Sequence, residues 1–542
     1  MEILNVKNLS FKYPTNEKNT LENVSFTLEK GDFAVLCGQT GSGKTTLLRA
    51  LKPSLCLRGE MNGEISFLGS QLYENKKGFE RKIGFVMQNP EQQIVTDKVY
   101  HELAFALENM NIKKNEISRR IAETAQFFGI SDLFEQGTQT LSGGQKQLLN
   151  LAAVSVMQPD LLILDEPTAQ LDPVAAVEFI TVLKKLNTEM GITVLISEHR
   201  LDELISLGNK LLVIENGEIT VCDEPSRAID SLEKDNKILE YMPAPVRLFK
   251  SVKSSCACPL TVNEGKQFIE KSFNNGISVF TAEKPELSAK KAVEVRDVWF
   301  RYSKQGEDVL KGIDFTVFEG EIFSCLGANG SGKTTAMNCI AGLIKPYSGK
   351  IKVFDKKISD YKNNSLYINC VSVLPQDIGT VFLKNTVEEE LEEVGASFDL
   401  IPVDLSYLSK RHPYDISGGE QQLVALIKVL SKKPRLLILD EPTKGLDNCF
   451  KMQYAQVLKS LKEKGVTVII VTHDTEFASL VSDRCAFLFR GRVVSEDETH
   501  LFFSKNSFYT TPVSRMTRGF YDGVVSVEEA VEMIVRNGGE KT

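Results

Sequence analysis

The sequence predicts an α/β protein of two similar domains in tandem, each organised on a phosphate-binding loop. Three observations lead there. The stretch Gly38-Gln39-Thr40-Gly41-Ser42-Gly43-Lys44-Thr45 fits G-x-x-x-x-G-K-[ST] and returns as Gly327-Ala328-Asn329-Gly330-Ser331-Gly332-Lys333-Thr334. The stretch Leu161-Leu162-Ile163-Leu164-Asp165-Glu166-Pro167-Thr168 returns as Leu436-Leu437-Ile438-Leu439-Asp440-Glu441-Pro442-Thr443. The spacings between such marks agree: Ser142 to Asp165 and Ser417 to Asp440 are each 23 residues, and Lys44 to Gln88 is 44 against 43 for Lys333 to Gln376. Whole sets returning at matched spacing mark an internal repeat.

Residues 2–28 alternate apolar and polar side chains, through Ile3, Val6, Leu9 and Phe11, then Leu21, Val24, Phe26 and Leu28, with a break at Pro14-Thr15-Asn16. This predicts antiparallel strands. Tyr13 lies 31 residues before Lys44 and Tyr302 lies 31 before Lys333; an aromatic ring there can stack on an adenine face. Each phosphate loop follows an apolar run, Phe33 to Cys37 or Ile322 to Leu326, predicted as a buried strand. A helix follows, with Thr46 and Thr335 extending the phosphate contact. The glycines let several N–H groups converge on one anion, and the helix N-terminus adds partial positive charge. Lys44 and Lys333 can reach the β- and γ-phosphates, and Thr45 and Thr334 can ligate Mg²⁺.

Gln88 and Gln376 end short apolar strands, where each amide can reach Mg²⁺ or the attacking water. Ser142-Gly143-Gly144-Gln145 and Ser417-Gly418-Gly419-Glu420 open helices. The serines suit the N-cap, and the glycines leave N–H groups open to a second anion site. Leu148, Leu151, Ala152 and Ser155 are predicted to share the packed face of the first of these helices. Asp165 and Asp440 stand at the carboxyl ends of buried strands, where open α/β sheets bind ligands, and are expected to hold Mg²⁺. Glu166 and Glu441 are expected to take the proton of the attacking water. His199 and His473, at further strand ends, can touch the γ-phosphate. One interval differs: Gln88 to Ser142 is 54 residues and Gln376 to Ser417 is 41, so the halves diverge in the helical segment between.

A chain of 542 residues exceeds a single core. Its net charge of −8 excludes a basic nucleic-acid-binding body. No apolar run approaches the ~18–20 residues that span a bilayer, and Met1 to Val6 lacks the basic and apolar regions of a signal peptide. The ten cysteines are scattered, as reduced thiols rather than a disulfide framework, and the close pair Cys256 and Cys258 is not expected to bind metal.

With Leu171-Asp172 and Leu446-Asp447 added, the set from Tyr13 to His199, repeated through His473, resembles the ABC-type ATPases over most of the chain. The resemblance implies, for each half, an antiparallel β subdomain, a mainly parallel core sheet and a helical subdomain. It implies domains at residues 1–224 and 291–503, an extension and linker at 225–290, and a tail at 504–542. It also implies hydrolysis of ATP with Mg²⁺ and halves that pair head to tail within one chain, Lys44 with Ser417 and Lys333 with Ser142.

Met87-Gln88-Asn89-Pro90-Glu91-Gln92-Gln93-Ile94-Val95, the run Val99 to Phe105, and Glu166-Pro167-Thr168-Ala169-Gln170-Leu171-Asp172-Pro173 are similar to the ATPases of energy-coupling-factor importers of vitamins and metal ions. That similarity implies a peripheral subunit at the cytoplasmic face of the cell membrane. Its partners would be an integral membrane coupling subunit and a substrate-binding membrane subunit, with no nucleic acid. Ile94, Val95, Val99, Leu103 and Phe105, rimmed by Glu91, Asp97, Glu102 and Glu108, are expected to form an apolar strip for a helix of the coupling subunit. The second copy, Gln376-Asp377-Ile378-Gly379-Thr380, lacks Asn-Pro-Glu, so its groove is expected to differ. Glu420 replaces the final glutamine of its motif but leaves the serine and glycines intact.

Two other readings stay open: a soluble tandem ABC ATPase acting on ribosomes, and a sugar-importer ATPase of two fused domains. The first carries a long charged linker, whereas residues 225–290 hold ten Lys/Arg and eight Asp/Glu, with a helix start at Thr261-Val262-Asn263-Glu264. The second has one degraded site, whereas both sets are complete here. A further helix start lies at Ser526 in the tail.

Overall fold

The computed structural model describes residues 1–14, 16–55, 58–273, 278–282 and 284–541; Thr15 of the expected chain break lies outside them. The chain forms two compact units, Met1–Arg247 with Ser255–Thr261, and Leu248–Ser254 with Val262–Thr542, so segment 225–290 is divided between them.

In the first unit the alternating N-terminal segments form antiparallel strands, Glu2–Lys12 beside Leu21–Glu29 and Glu60–Phe67. Alternation suits them because one face packs and the other is wetted. The continuous apolar runs instead become strands buried on both faces, Phe33–Cys37, Leu161–Asp165 and Thr193–Ser197. Their six-stranded sheet runs Glu218–Asp223, Lys210–Glu215, Phe33–Cys37, Thr193–Ser197, Leu161–Asp165, Ile83–Val86. Every pair is parallel except the first. The loops that follow four of these strands therefore leave from one edge of the sheet, which is where the expected site residues lie.

The second unit repeats both layers. Its antiparallel sheet contains Leu310–Phe318, Lys291–Phe300 and Ser348–Val353. Its six-stranded sheet runs Val371–Leu374, Leu436–Asp440, Thr467–Thr472, Ile322–Leu326, Arg484–Phe489, Arg492–Glu498, antiparallel only in the last pair.

The helical portions differ where the spacing says they must. The first has helices Val99–Asn109, Lys114–Phe127 and Gly143–Ser155. The second has Val387–Glu393 and Gly418–Leu430, with short 3-10 turns between them. The 14-residue helix Lys114–Phe127 accounts for the longer interval in the first half.

Both predicted helix starts outside the repeats are present. The helix Val262–Phe273 packs against Pro512–Thr517, and Val527–Arg536 begins on a capping box of Ser526 and Glu529. Ser278–Val279 pairs in parallel with Tyr521–Asp522, and Tyr521 Oη donates to Phe273 O at 2.7 Å. The later extension and the tail thus build one layer of the second unit. Among the described residues no helix is long and apolar enough to cross a membrane.

Candidate functional site

In both units the loop after the first parallel strand folds back around its own lysine. Gly43 and Gly332 have φ of 104° and 102°, a conformation glycine takes without a Cβ clash, and they open the helices Lys44–Ala50 and Lys333–Ile340. Lys44 Nζ donates to Gly38 O at 2.8 Å and Gln39 O at 3.1 Å, and Lys333 Nζ to Gly327 O at 2.7 Å and Ala328 O at 3.1 Å. Both ammonium groups are buried, 3.6 Å from Glu166 and 3.8 Å from Glu441. Ser42 Oγ and Ser331 Oγ are buried beside them with no hydrogen-bond partner. Thr40, Gly41, Ala328, Asn329 and Gly330 form the open tips of the loops. A cation, an unpaired hydroxyl and a helix start together fit a phosphate group.

Tyr13 and Tyr302 share one geometry. Each ring meets the preceding phenylalanine edge-on at 4.9 Å, and each hydroxyl lies near a loop threonine, Thr46 Oγ1 at 3.2 Å or Thr335 Oγ1 at 3.0 Å. Tyr302 is 69% exposed, which leaves its ring open to a planar ligand.

The acidic ends of Leu161–Asp165 and Leu436–Asp440 lie beside these loops. Thr45 Oγ1 and Ser197 Oγ both donate to Asp165 Oδ1, each at 3.1 Å. Gln88 Nε2 donates to Glu166 Oε2 at 2.9 Å, and His199 Nε2 lies 2.7 Å from Glu166 Oε1. Four strand ends therefore deliver Lys44, Thr45, Gln88, Asp165, Glu166 and His199 to one place. Burial raises the Asp165 carboxyl, and the Glu166 charge adds to it. Burial also acts on Glu166, but His199 and the Lys44 ammonium outweigh it, so Glu166 lies below its ordinary value and is ionised at neutral pH. Glu166 and Glu441 are left-handed, with φ of 43° and 49°. Such strain costs about 1–3 kcal/mol and clusters at functional sites. The Glu166 amide is held by Ser197 O and Ser197 Oγ, each at 3.1 Å.

The second site is less cross-linked. Pairing places Val471 opposite Asp440 where Ser197 stands opposite Asp165. Valine donates nothing, and Asp440 Oδ1 is buried without a hydrogen-bond partner. Burial raises this carboxyl, opposed by a hydrogen bond from Thr334. Glu441 Oε2 meets His473 through Nδ1, at 2.9 Å, and among the described residues Gln376 makes no hydrogen bond to Glu441. A bare buried carboxylate oxygen beside a threonine hydroxyl is a hard-oxygen donor set of the kind Mg²⁺ takes.

Ser142 and Ser417 cap their helices as expected, each in a capping box with the residue three positions on. Gln145 Oε1 accepts from Ser142 N at 2.8 Å, and Glu420 Oε2 from Ser417 N at 2.8 Å. Glutamate thus serves the same cap as glutamine. A Cβ on Gly144 would lie 2.9 Å from Ala175 Cβ, and one on Gly419 would lie 2.5 Å from the Phe450 ring, whereas Gly143 and Gly418 face open space. Among the described residues no hydrogen bond or ion pair joins these motifs to the phosphate loop of their own half.

The expected apolar strip is corrected by burial. Val99 and Leu103 face their own core, because the helix Val99–Asn109 turns them inward, and Glu102 is buried rather than part of an acidic rim. Glu102 Oε2 accepts from Val95 N at 3.1 Å, Thr96 N at 2.8 Å and Thr96 Oγ1 at 2.8 Å. What remains outside is Val95, 68% exposed, and Phe105, 43% exposed, with Ile94 half-buried. The second half builds the same device: Glu390 accepts from Leu383 N and Lys384 N, and Leu383 is 77% exposed.

Sequence reasoning also missed the amide side chains, two of them buried, that brace the segment around Gln88. Gln147 Nε2 donates to Met87 O at 3.0 Å, Asn150 Nδ2 to Pro90 O at 3.1 Å, and Gln93 Nε2 to Phe85 O at 3.0 Å. A polar residue on an otherwise apolar helix face, as at Gln147 and Asn150, was the available signal.

The family model for ABC transporters matches residues 21–169 and 310–444. A Bacillus thuringiensis subsp. konkukian (strain 97-27) protein named an ABC transporter ATP-binding protein is 40% identical over 531 residues, covering 95% of each chain. A Bacillus subtilis (strain 168) protein named HMP/thiamine import ATP-binding protein YkoD is 31% identical over 502 residues, covering 89% of each. The archaeal ribosome recycling factor aABCE1, solved in complex with the ribosomal stalk protein aP1, matches with a TM-score of 0.59 at 21% identity, over 92% of this chain and 91% of that one. That last likeness concerns the fold alone.

Proposed function

The chain belongs to the ABC transporter family of ATPases, and from that premise we propose that it powers a membrane importer of the energy-coupling-factor type, for a vitamin, a vitamin precursor or a metal ion. In each half Glu166 or Glu441 is the general base that accepts the proton of the attacking water, oriented by His199 or His473 and by Gln88 or Gln376. Lys44 and Lys333, the loop amides and Ser42 or Ser331 hold the phosphates, and Tyr13 or Tyr302 stacks on the adenine. Mg²⁺, when bound, neutralises charge on the phosphate oxygens. Thr45, Gln88 and Asp165 would hold it in one half, and Thr334, Gln376 and Asp440 in the other. The pairing of Lys44 with Ser417 and of Lys333 with Ser142 belongs to this proposal on the strength of the family resemblance.

The observation that carries the importer reading is the carboxylate-anchored loop seven residues beyond each catalytic glutamine, which presents an exposed aliphatic side chain, Val95 or Leu383. An anchored loop with an apolar tip suits a partner helix, here that of an integral membrane coupling subunit at the cytoplasmic face, with a substrate-binding membrane subunit alongside. Similarity to a protein named for HMP/thiamine import supports the vitamin-precursor class. The test is to change Val95 and Leu383 to Asp. ATP turnover by the isolated protein is expected to persist, while co-purification with membrane subunits falls tenfold or more, since burying one such side chain contributes about 1.5–3 kcal/mol. Intact assembly would remove the docking role of these loops.

A further inference from the structure

This inference deepens the function proposed above and rests on it. The first half carries Glu198 between Ser197 and His199. Its carboxylate is buried, and among the described residues no lysine or arginine pairs with it. Oε1 accepts from Thr168 N at 2.8 Å, and Oε2 accepts from His199 N at 3.3 Å. Thr168 follows Glu166 by two residues, and His199 Nε2 lies 2.7 Å from Glu166. The contacts close a ring: Glu166, the turn to Thr168, the Glu198 carboxylate, His199, and Glu166 again.

The second half has no such ring. The strand register puts Thr472 at this position, and its hydroxyl accepts from Asp474 N at 3.0 Å, at the start of the next helix. Among the described residues the Thr443 amide has no side-chain acceptor. A carboxylate buried without a cation is costly, so its presence in one half alone points to work that a hydroxyl does not do.

We propose that Glu198 is a positioning residue of the first half, fixing the Glu166–Thr168 turn against His199 so that the general base and its histidine keep their register, and that this sets the first site apart from the second. Burial raises the Glu198 carboxyl to about 7, against the Thr168 hydrogen bonds; of the charged groups that face it, Glu166 raises it and His199 lowers it. Above that pH both carboxylate oxygens accept. Below it, one carries a proton and accepts only weakly. The clamp therefore strengthens as pH rises through neutrality.

The experiment compares the full-length protein with Glu198→Gln and with Glu198→Thr, the residue of the second half, measuring kcat and KM for ATP across neutral pH together with melting temperature. Gln keeps the size and one acceptor but cannot ionise. We expect kcat to fall in both variants toward the share that the second site supplies, since small misplacements of reacting groups cost about tenfold or more at the site concerned, with KM unchanged. The rise in turnover through neutral pH should disappear. Unchanged kcat and pH profile in Glu198→Gln would overturn the proposal, as would an equal loss at every pH accompanied by a lower melting temperature. Glu166→Gln, run alongside, separates the two levels: if it leaves turnover intact, the site reading itself fails, and this inference with it. If it lowers turnover while Glu198→Gln behaves as the unmodified protein, only the positioning role fails.

Discussion

Glu166 and Glu441 combine three properties that fit a base: a left-handed backbone, burial beside a lysine ammonium, and a histidine within 2.9 Å. Glu166→Gln with Glu441→Gln preserves size and hydrogen bonding but removes proton acceptance. Steady-state hydrolysis is expected to fall about 10²–10⁴-fold, while equilibrium nucleotide binding persists; unchanged hydrolysis would strip both residues of the role. The two glycines of each Ser-Gly-Gly motif separate just as sharply. Gly419→Ala drives a methyl into the Phe450 ring and is expected to cost about 1–3 kcal/mol of stability, read from urea unfolding. Gly418→Ala meets nothing within its own unit and should fold normally, losing turnover only if a phosphate lies there. Equal destabilisation by the two changes would contradict this packing.

At the scale of elements, the loop after each catalytic glutamine depends on a buried carboxylate fourteen residues beyond that glutamine, Glu102 or Glu390. Glu102→Ala orphans two amides, while the Thr96 hydroxyl keeps Lys98 O at 3.1 Å, at a cost of about 1–3 kcal/mol. Glu390→Ala also strips a partner from the buried Lys428, which keeps Val381 O at 2.8 Å, so its cost is expected near the lower end for a broken buried pair, about 3 kcal/mol. Urea unfolding of the two variants checks both, and stabilities within error of the unmodified protein would show that the loops do not need these anchors. The spacing of fourteen was visible in both copies. That Glu102 points inward was not, because the helix phase that decides it depends on what the helix packs against.

For the whole molecule, the two halves are repeats with unequal fittings. The first has an added helix, Lys114–Phe127, the Ser197 and Gln88 contacts and the Glu198 clamp; the second leaves Asp440 Oδ1 bare. One consequence reaches global stability. Burial raises Glu198 from its ordinary 4.5 to about 7. A carboxyl raised in the folded state contributes stability that is full below its unfolded value and is lost as pH rises through its folded value. Melting temperature is therefore expected to fall less steeply between those two pH values in Glu198→Gln than in the unmodified protein. Parallel melting curves against pH for the two proteins would refute this.

The sequence alone determined the tandem repeat, both phosphate loops, the strands behind them, the helix caps at Ser142, Ser417 and Ser526, and the family. These are local: a glycine pattern, a run of apolar residues or an N-cap serine carries its physical meaning within a few neighbours. Only the tertiary structure decided that Val99, Leu103 and Glu102 turn inward, that Gln147 and Asn150 brace a distant loop, that Val471 leaves Asp440 without the donor Ser197 supplies, and that Glu198 ties Thr168 to His199. Each of these depends on strand register or helix phase. A shift of one residue would turn a strand side chain to the opposite face and a helical one by about 100°, and what fixes that choice is the packing of segments far apart in the chain.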